Sequence, residues 1–483
     1  MILNSKKRLY ELIEAKKEEY AALSDQIWEF AETRFEEEKS AALLCRALEG
    51  AGFSVEREVG GVPFAFVGTA GSGSPVIGFL GEYDALSGLS QEAGIAERRP
   101  LQPGAAGHGC GHHLLGVGSL AAAAALAQYL KEENLPGTVK YYGCPGEEGG
   151  SGKAFMAREG VFAGLDAAIT WHTSTMTMTR SGSSLANIQV YYRFIGRSSH
   201  AAASPHLGRS ALDAVELMNV GVNYMREHVI PEARVHYAVI ETGGKSPNVV
   251  QPVAEVLYLI RAPQNSQVRE MFEWVNDIAR GAALMTQTQV EIQVDKACSN
   301  LIPNETLEKL MQANLEALPP LTPTPEEEVY ARAIRATLDQ AESAKEQKAF
   351  LKSFGSREGR RLAEQLEGQV LHAGVLPHQT SDQPKMSSTD VADVSWLAPT
   401  VQCNVACYAL GTPGHSWQMV AQGKSSWAHK GMLLAAKAMA GTGLDILQQP
   451  ELLAAAKQEL QERLGGEPYR CPIPEGVQPS KVK

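Results

Sequence analysis

Four side chains in two short motifs have the types and the spacing of a metal-dependent hydrolytic site. Cys110 and His112 lie two residues apart in a glycine-rich turn, and the adjacent pair Glu147 and Glu148 follows further along the chain. Thiolate, imidazole and carboxylate are ligands that zinc accepts, and manganese accepts the harder members of this set. One glutamate can bind metal while the other takes a proton from water. These residues predict a centre that activates water for hydrolysis.

The elements that must position these residues are strands of a parallel sheet. Short apolar runs bounded by turns predict buried strands, and open α/β sheets keep their sites at the carboxyl ends of such strands. Three predicted strands end beside side chains of the ligand type: Val76–Leu80 leads to Glu82 and Asp84, Val139–Cys144 leads to Glu147 and Glu148, and Ala167–Trp171 leads to His172.

Local geometry assigns expected roles within the two motifs. Cys110 and His112 precede a helix that begins near Leu114, where the positive helix end and a metal would both favour the thiolate. Neighbouring side chains in extended backbone point to opposite sides, so Glu147 and Glu148 are expected to serve two different functions. A structural cysteine and two surface glutamates remain the alternative interpretation of the separate motifs.

A domain of a second type is predicted inside the first. Between 187 and 299 the pattern changes to β-α-β-β-α-β, which is the ferredoxin-like split motif. The predicted division is a catalytic domain over 1–186 and 300–483, with an inserted α+β domain over 187–299. The fold class is therefore α/β, with a mostly parallel sheet and one insertion.

Composition limits the cellular setting and the partners. The chain has 483 residues, of which 44% are hydrophobic and 20% are charged, and its net charge is −11. The acidic balance argues against a nucleic-acid partner. The amino-terminal segment lacks the apolar core of a secretory signal, so a cytoplasmic protein is expected. The apolar run Leu114–Leu130 contains glycine, serine and glutamine and predicts a buried helix, with no membrane partner.

Three further segments complete the predicted elements. Lys6–Thr33 is expected to form one helix, short strands are expected over Val55–Val59 and Phe64–Gly68, and Glu326–Phe350 is expected to be helical. The tail from Gly465 is rich in proline and has no apolar period, so it is expected to be poorly ordered.

Five motifs carry a resemblance to a known family, the dinuclear metallo-aminoacylases and carboxypeptidases. The chain is similar to the amidohydrolase branch of that family, which includes auxin-conjugate and aminobenzoyl-glutamate hydrolases, and most resembles the latter group. The resemblance implies a metallopeptidase catalytic domain with an inserted lid and dimerisation domain. The motifs are Gly-Glu82-Tyr-Asp84-Ala-Leu, Gly-Cys110-Gly-His112-His, Gly-Glu147-Glu148-Gly-Gly, Trp171-His172 and Gly196-Arg-Ser-Ser-His200-Ala-Ala-Ala-Ser-Pro205.

The resemblance also implies roles for individual residues in the catalytic domain. Two divalent cations, zinc or manganese, would be held with Cys110 between them, Glu147 would be the general base and Asp84 would orient a ligand. His429 competes with His415 for the position of last ligand. The implied ligand set is Cys110, His112, Glu148, His172 and His415.

Lid residues are implied to contact substrate. His200 would stabilise the oxyanion, often in the site of a partner subunit, and Asn248 matches an asparagine near the substrate. Arg261 could bind an α-carboxylate, because a guanidinium pairs with carboxylates in a fork. The partner is expected to be a second copy of the chain or a related subunit.

The expected activity is metal-dependent hydrolysis of the amide bond of an N-acyl amino acid, such as an aminobenzoyl-glutamate. A broad aminoacylase or dipeptidase is the alternative within the same class. A metal-independent hydrolase with Cys110 as nucleophile would leave the glutamate pair without a function. A non-catalytic or regulatory partner subunit is the alternative of another class.

Overall fold

The computed structural model describes residues 2–481 apart from 340, 342, 343, 345–347, 349, 352, 353, 382 and 383. The strands are β1 Ser54–Arg57, β2 Phe66–Ser72, β3 Val76–Glu82, β4 Gly137–Cys144, β5 Ala167–Ser174, β6 Met178–Thr179, β7 Ala186–Ile195, β8 Arg234–Glu241, β9 Val253–Ala262, β10 Gln289–Cys298 and β11 Thr400–Ala406. The α-helices of the described residues are Ile2–Glu14, Lys17–Phe30, Glu38–Gly50, His112–Glu132, Glu147–Gly150, Gly152–Arg158, Ala211–Met225, Asn265–Thr286, Glu305–Ala317, Pro325–Ala336, Ser356–Leu366, Val391–Ser395, Trp417–Gln422, Ser426–Gln448 and Pro450–Leu464.

The larger sheet has seven strands in the order β1-β2-β4-β3-β5-β11-β6. Its four central strands, β4, β3, β5 and β11, are parallel to their neighbours, and antiparallel pairs form both edges. Parallel strands need helical crossovers, which cover both faces of the sheet with apolar side chains. The predicted α/β class with a largely parallel catalytic sheet is confirmed.

A long buried helix, His112–Glu132, lies against the centre of this sheet. It is rich in alanine and contains two glycines, and Gly118 packs against the ring of Trp171. Its length and apolar composition would also allow a membrane span, but 89% of its most apolar window is buried inside the fold. It is a core helix, as predicted, and its first residue is a candidate metal ligand.

The smaller sheet has four antiparallel strands in the order β10-β7-β9-β8, and we call the segment Ala186–Cys298 that contains it the lid. Helices Ala211–Met225 and Asn265–Thr286 belong to the same hydrophobic core as this sheet. The chain order β-α-β-β-α-β matches the ferredoxin-like motif. The exact domain boundaries at 186/187 and 299/300 stay a prediction.

Several predicted elements differ in extent from the observed ones. The expected helix Lys6–Thr33 is two helices, because the first closes near Lys16 with a short hydrogen bond from Lys16 N to Ile13 O of 3.2 Å. The two amino-terminal strands are β1 and β2, each displaced by one to four residues. Part of the predicted helix Glu326–Phe350 lies outside the described residues, and the helix Pro325–Ala336 covers its start.

The carboxyl-terminal tail is ordered, which corrects the prediction of disorder. Ile473 is 2% exposed, and the hydroxyl of Tyr469 donates to Asp393 Oδ1 over 2.9 Å. The hydroxyl of Ser480 donates to Asp295 Oδ1 over 2.9 Å. A proline-rich segment without its own hydrogen-bonded structure is held here by contacts with the catalytic domain and with strand β10 of the lid, which no local pattern reveals.

Candidate metal centre

Cys110 lies between two groups of ligand atoms. One group joins it to His112 and His172, the other joins it to Glu148 and His415, and within each group all ligand atoms lie within 4.8 Å of one another. Cys110 Sγ is 3.4 Å from His172 Nε2, and His415 Nε2 is 3.3 Å from Glu148 Oε1. One sulfur shared by two groups is the arrangement needed to bridge two cations.

Two histidines are oriented by hydrogen bonds on the side away from this centre. His112 Nδ1 donates to Asp84 Oδ1 over 2.8 Å, and His172 Nδ1 donates to the carbonyl of Thr173 over 2.8 Å. Asp84 Oδ2 also accepts the backbone N–H of Glu148 at 2.7 Å. These bonds fix the tautomers and leave each Nε2 lone pair facing the centre, as metal-bound histidines require.

Two buried polar atoms at the centre test whether a metal fits. Among the described residues, His112 Nε2 and Glu148 Oε1 are buried without a hydrogen-bond partner. Leaving such atoms unpaired costs about 1–3 kcal/mol each. A divalent cation would satisfy both atoms, and the sulfur, nitrogen and oxygen donors around them suit zinc or manganese. The residues fit a metal site.

The Glu147–Glu148 pair lies in a tight turn, which corrects the expected extended backbone. The turn Glu147–Gly150 is flanked by left-handed Gly146 at φ 65°, and Gly149 inside it has φ 74°. Glu148 itself departs from helical geometry with ψ 82°. The two carboxylates still diverge, because this irregular turn sends Glu148 to Cys110 and His415 and sends Glu147 elsewhere.

Glu147 and Glu148 have opposite acid strengths. Burial, reinforced by the adjacent Glu82, raises the pKa of Glu147 well above its ordinary value. Burial opposes ionisation of Glu148 too, but its contacts with His415 and His112 lower its pKa to about 2. Two neighbouring carboxyls with separated pKa values suit an ionised ligand and a proton carrier.

The thiol of Cys110 is not activated by the fold alone. Burial, with the charge of Glu148 acting in the same direction, raises the pKa of Cys110 above its ordinary value. The expectation that the helix end would favour the thiolate is therefore wrong, because desolvation outweighs the dipole at this depth. A thiol with a raised pKa is a poor nucleophile, which argues against a metal-independent cysteine hydrolase.

Of the two candidates for the last ligand, the structure brings His415 to Cys110 and Glu148. His415 has a left-handed backbone at φ 55°, and its N–H donates to the carbonyl of Gly109 over 2.9 Å. Non-glycine residues in this conformation often occur at functional sites. His429 instead pairs with Asp25 Oδ1 at 2.9 Å.

This difference makes a testable prediction. We expect His415→Ala to weaken metal binding by at least about 100-fold, since loss of even an indirect partner of a ligand costs 10- to 100-fold. His429→Ala is the matched control and removes only a partly exposed pair worth up to about 1 kcal/mol. Metal titration of both variants is the measurement. Equal loss of metal in both variants would contradict the assignment.

A buried network beneath the centre was missed by sequence reasoning. Lys153 is fully buried, and its Nζ lies 2.6 Å from Glu82 Oε1 and 2.6 Å from Asp390 Oδ1. Its backbone N–H also donates to Asp390 Oδ2 over 2.8 Å. The Glu82 carboxylate, the His112 Nε2 and the Glu147 carboxylate lie within 4.8 Å of one another. Lys153 thus neutralises a carboxylate beside the proton carrier, and the motif Gly-Glu82-Tyr-Asp84 was the only signal for it.

The centre opens into a cavity of about 460 Å³ between the catalytic sheet and the lid. Cys110, both glutamates, His172 and His415 line one side. The lid lines the other side through alternate residues of three strands, because successive side chains of a strand point to opposite faces. These lid residues are Asn187 and Gln189 on β7, Leu259 and Arg261 on β9, and Lys296 and Cys298 on β10.

The predicted substrate residues fall in two places. Arg261 lines the cavity, and its guanidinium is 3.4 Å from Ser388 Oγ. His200 and Asn248 are exposed on a lid loop and are neighbours, since the backbone of His200 pairs with Val249. The structure does not bring these two residues to the metal centre of the same chain.

Two cations in the cavity wall were also missed. Arg180, just after β6, donates to Gln402 Oε1 over 2.9 Å, and Lys296 Nζ donates to Asn187 Oδ1 over 3.2 Å. Neither belongs to a motif, and Lys296 follows a bulge in β10 that no sequence pattern marks.

Comparisons with known proteins agree with this geometry. The family model of peptidase family M20/M25/M40 matches residues 78–474. The chain is 51% identical to one of the subunits of the p-aminobenzoyl-glutamate hydrolase of Escherichia coli, over 98% of each chain. It is 28% identical to the Xaa-Arg dipeptidase of Mus musculus, over 95% of this chain and 93% of that one.

Solved structures support the same fold. A dinuclear metal-binding peptidase of the M20 family from Bacillus subtilis aligns with a TM-score of 0.55 at 16% identity, covering 90% of this chain and 99% of that one. The family match covers most of the chain, and the full-length relative is more than half identical. The chain belongs to peptidase family M20/M25/M40, as its motifs predict, and is a hydrolase.

Proposed function

We propose that this protein hydrolyses the amide bond of an N-acyl glutamate of the aminobenzoyl type with two divalent cations. The observation that carries the proposal is the placement of Cys110 between two ligand groups, with the separate, weakly acidic carboxyl of Glu147 beside them. The full-length likeness to a component of the Escherichia coli p-aminobenzoyl-glutamate hydrolase supports the substrate.

The ligands proposed for the two cations divide around Cys110. His112 and His172 would hold one cation, and Glu148 and His415 the other, with the sulfur shared. Zinc and manganese both accept this donor set. Two cations bound there would polarise the amide carbonyl and lower the pKa of water.

Glu147 carries the proton in the proposed reaction. Its carboxylate takes a proton from the attacking water and delivers it to the nitrogen of the leaving amine. Burial raises the pKa of Glu147, so the carboxyl holds the proton long enough to pass it on. Glu148, whose pKa is about 2, stays ionised throughout and keeps its role as a ligand.

The lid supplies the proposed substrate contacts. Arg261 lines the cavity and would bind the α-carboxylate in a bidentate pair. His200 Nδ1 accepts the N–H groups of Ala202 and Ala203 at 3.2 and 3.1 Å, so its proton lies on Nε2. That N–H could donate to the oxyanion, and Asn248 beside it could bind the carbonyl group.

His200 and Asn248 would act in the site of a second subunit. The lid supports such an assembly, because β8 is the edge of its sheet and exposes Tyr237, Val239 and Ile240. An unpaired apolar edge strand favours association. The partner is a second copy of the chain or a related subunit, since the full-length relative is named as one subunit of an enzyme.

Two other functions predict different substrates. A dipeptidase for cationic residues, as the mouse relative is named, would place a positive side chain in a cavity lined by Arg180, Arg261 and Lys296. Repulsion from these groups disfavours it. A regulatory subunit would have no need of the complete ligand set.

The test is turnover by the purified chain. Protein stripped of metal and resupplied with zinc or manganese is assayed on aminobenzoyl-glutamate, other N-acyl amino acids and dipeptides ending in arginine. We expect aminobenzoyl-glutamate to be hydrolysed fastest and only with metal. Absence of turnover with either metal, alone and with a related subunit, would overturn the proposal in favour of a non-catalytic role.

A further inference from the structure

Three cations line the cavity without a carboxylate partner. Among the residues that the structure describes, no carboxylate oxygen lies within 4.0 Å of the side-chain nitrogens of Arg180, Arg261 or Lys296. The acidic groups of the same cavity are already engaged: Asp390 binds Lys153, Glu148 contacts His415, and Glu147 lies beside the metal centre. One substrate α-carboxylate would match Arg261 and leave two cations over.

The two remaining cations, Arg180 and Lys296, are held in place by neutral groups. Arg180 lies against Gln402 Oε1 at 2.9 Å and Ser387 Oγ at 3.4 Å. Lys296 is only 7% exposed and lies against Asn187 Oδ1 at 3.2 Å. Neutral acceptors orient the charges but do not neutralise them. A buried cation without a counter-charge is costly, so it is retained where a ligand supplies that charge.

The surroundings strengthen the positive character of this wall. Burial, together with the charge of Arg180, lowers the pKa of Lys385 to about 7. Burial also lowers the pKa of Arg180 itself. Both directions describe a region with more positive charge than its own side chains compensate.

We infer that Arg180 and Lys296, the cation pair, bind a second carboxylate of the substrate and make the enzyme selective for acyl derivatives of acidic amino acids. The inference rests on the proposed hydrolysis of N-acyl amino acids and adds the residues that distinguish glutamate from its neutral analogues. Arg261 would bind the α-carboxylate, and the cation pair would bind the side-chain carboxylate.

The comparison ligand is aminobenzoyl-glutamine, which has the shape of aminobenzoyl-glutamate without the second charge. Calorimetry on chelator-treated protein measures the Kd of each ligand without turnover. We expect the wild-type chain to prefer the glutamate ligand by between about 10-fold and 100-fold, the range of charge-assisted hydrogen bonds. Arg180→Met and Lys296→Met should bring the ratio of the two Kd values close to one.

Control variants separate recognition from structure. Arg193→Met removes a cation from the exposed end of β7, 49% of whose side chain is exposed, and should keep the wild-type ratio. Arg180→Lys should restore part of the preference. Thermal unfolding adds a second readout, because removing an uncompensated cation should not lower the Tm. A merely structural arginine would lower the Tm without changing the ratio.

The inference and the proposed function fail differently. Equal Kd values in the wild-type chain, no measurable binding of either ligand, or an unchanged ratio in the methionine variants would overturn the inference. Hydrolysis of aminobenzoyl-glutamate by the metal-loaded enzyme would leave the proposed function standing in that event. Lack of turnover with a preserved preference in binding would overturn the proposed function alone.

Discussion

Glu147→Gln should lower kcat by about 10²- to 10⁴-fold, the usual contribution of a positioned acid–base group, while the bound metal stays at the wild-type level. Glutamine keeps the shape of the side chain but cannot take a proton from water. The metal should remain, because Glu147 belongs to neither ligand group that contains Cys110. Steady-state kinetics and metal analysis of the same preparation measure both effects.

A matched control strengthens this test. Glu159→Gln changes a glutamate 41% of whose side chain is exposed and whose contact is a surface pair with Arg158. It should leave kcat within the error of the assay. Wild-type turnover in Glu147→Gln with its metal intact would remove Glu147 from the mechanism.

Cys110→Ala is expected to have the second large effect. Both ligand groups contain the sulfur, so its loss should reduce the bound metal from two ions per chain to one or none. Loss of a catalytic cation forfeits several kcal/mol of charge stabilisation, which corresponds to a fall in kcat of about 10³-fold or more. Metal analysis and kinetics at saturating metal are the measurements.

The control here is Cys471→Ala, since Cys471 is half-buried and lies outside both ligand groups. It should retain metal and activity. A chelator distinguishes the two possible roles of Cys110. If chelator-treated wild-type protein stays active while Cys110→Ala is inactive, the cysteine is a nucleophile and the metal assignment is wrong.

Much of the centre could be predicted because its motifs follow strands. Apolar runs bounded by turns identify β3, β4 and β5, and parallel strands bring the residues at their carboxyl ends to one edge. Cys110, Glu148 and His172 are thereby brought together by local pattern and sheet topology. His415 depended on the family resemblance, since its left-handed backbone beside Gly109 is a tertiary feature.

The rest depended on contacts between distant segments. Lys153 and Asp390 are 237 residues apart in the chain, and neither lies in a pattern that predicts the other. Arg180 and Lys296 enter the cavity from different sheets. Ile473 is buried although its segment has no apolar period. Such pairings follow from packing between distant segments, which periodicity of hydrophobic residues does not encode.

The central claim is that this cleft holds two cations around one cysteine sulfur. Titration of metal-stripped protein with zinc or manganese, followed by calorimetry and by hydrolysis of aminobenzoyl-glutamate, tests it most directly. We predict saturation at two equivalents per chain, with full activity only when both are bound. Full hydrolytic activity in the presence of excess chelator, or saturation at a single equivalent, would contradict the claim.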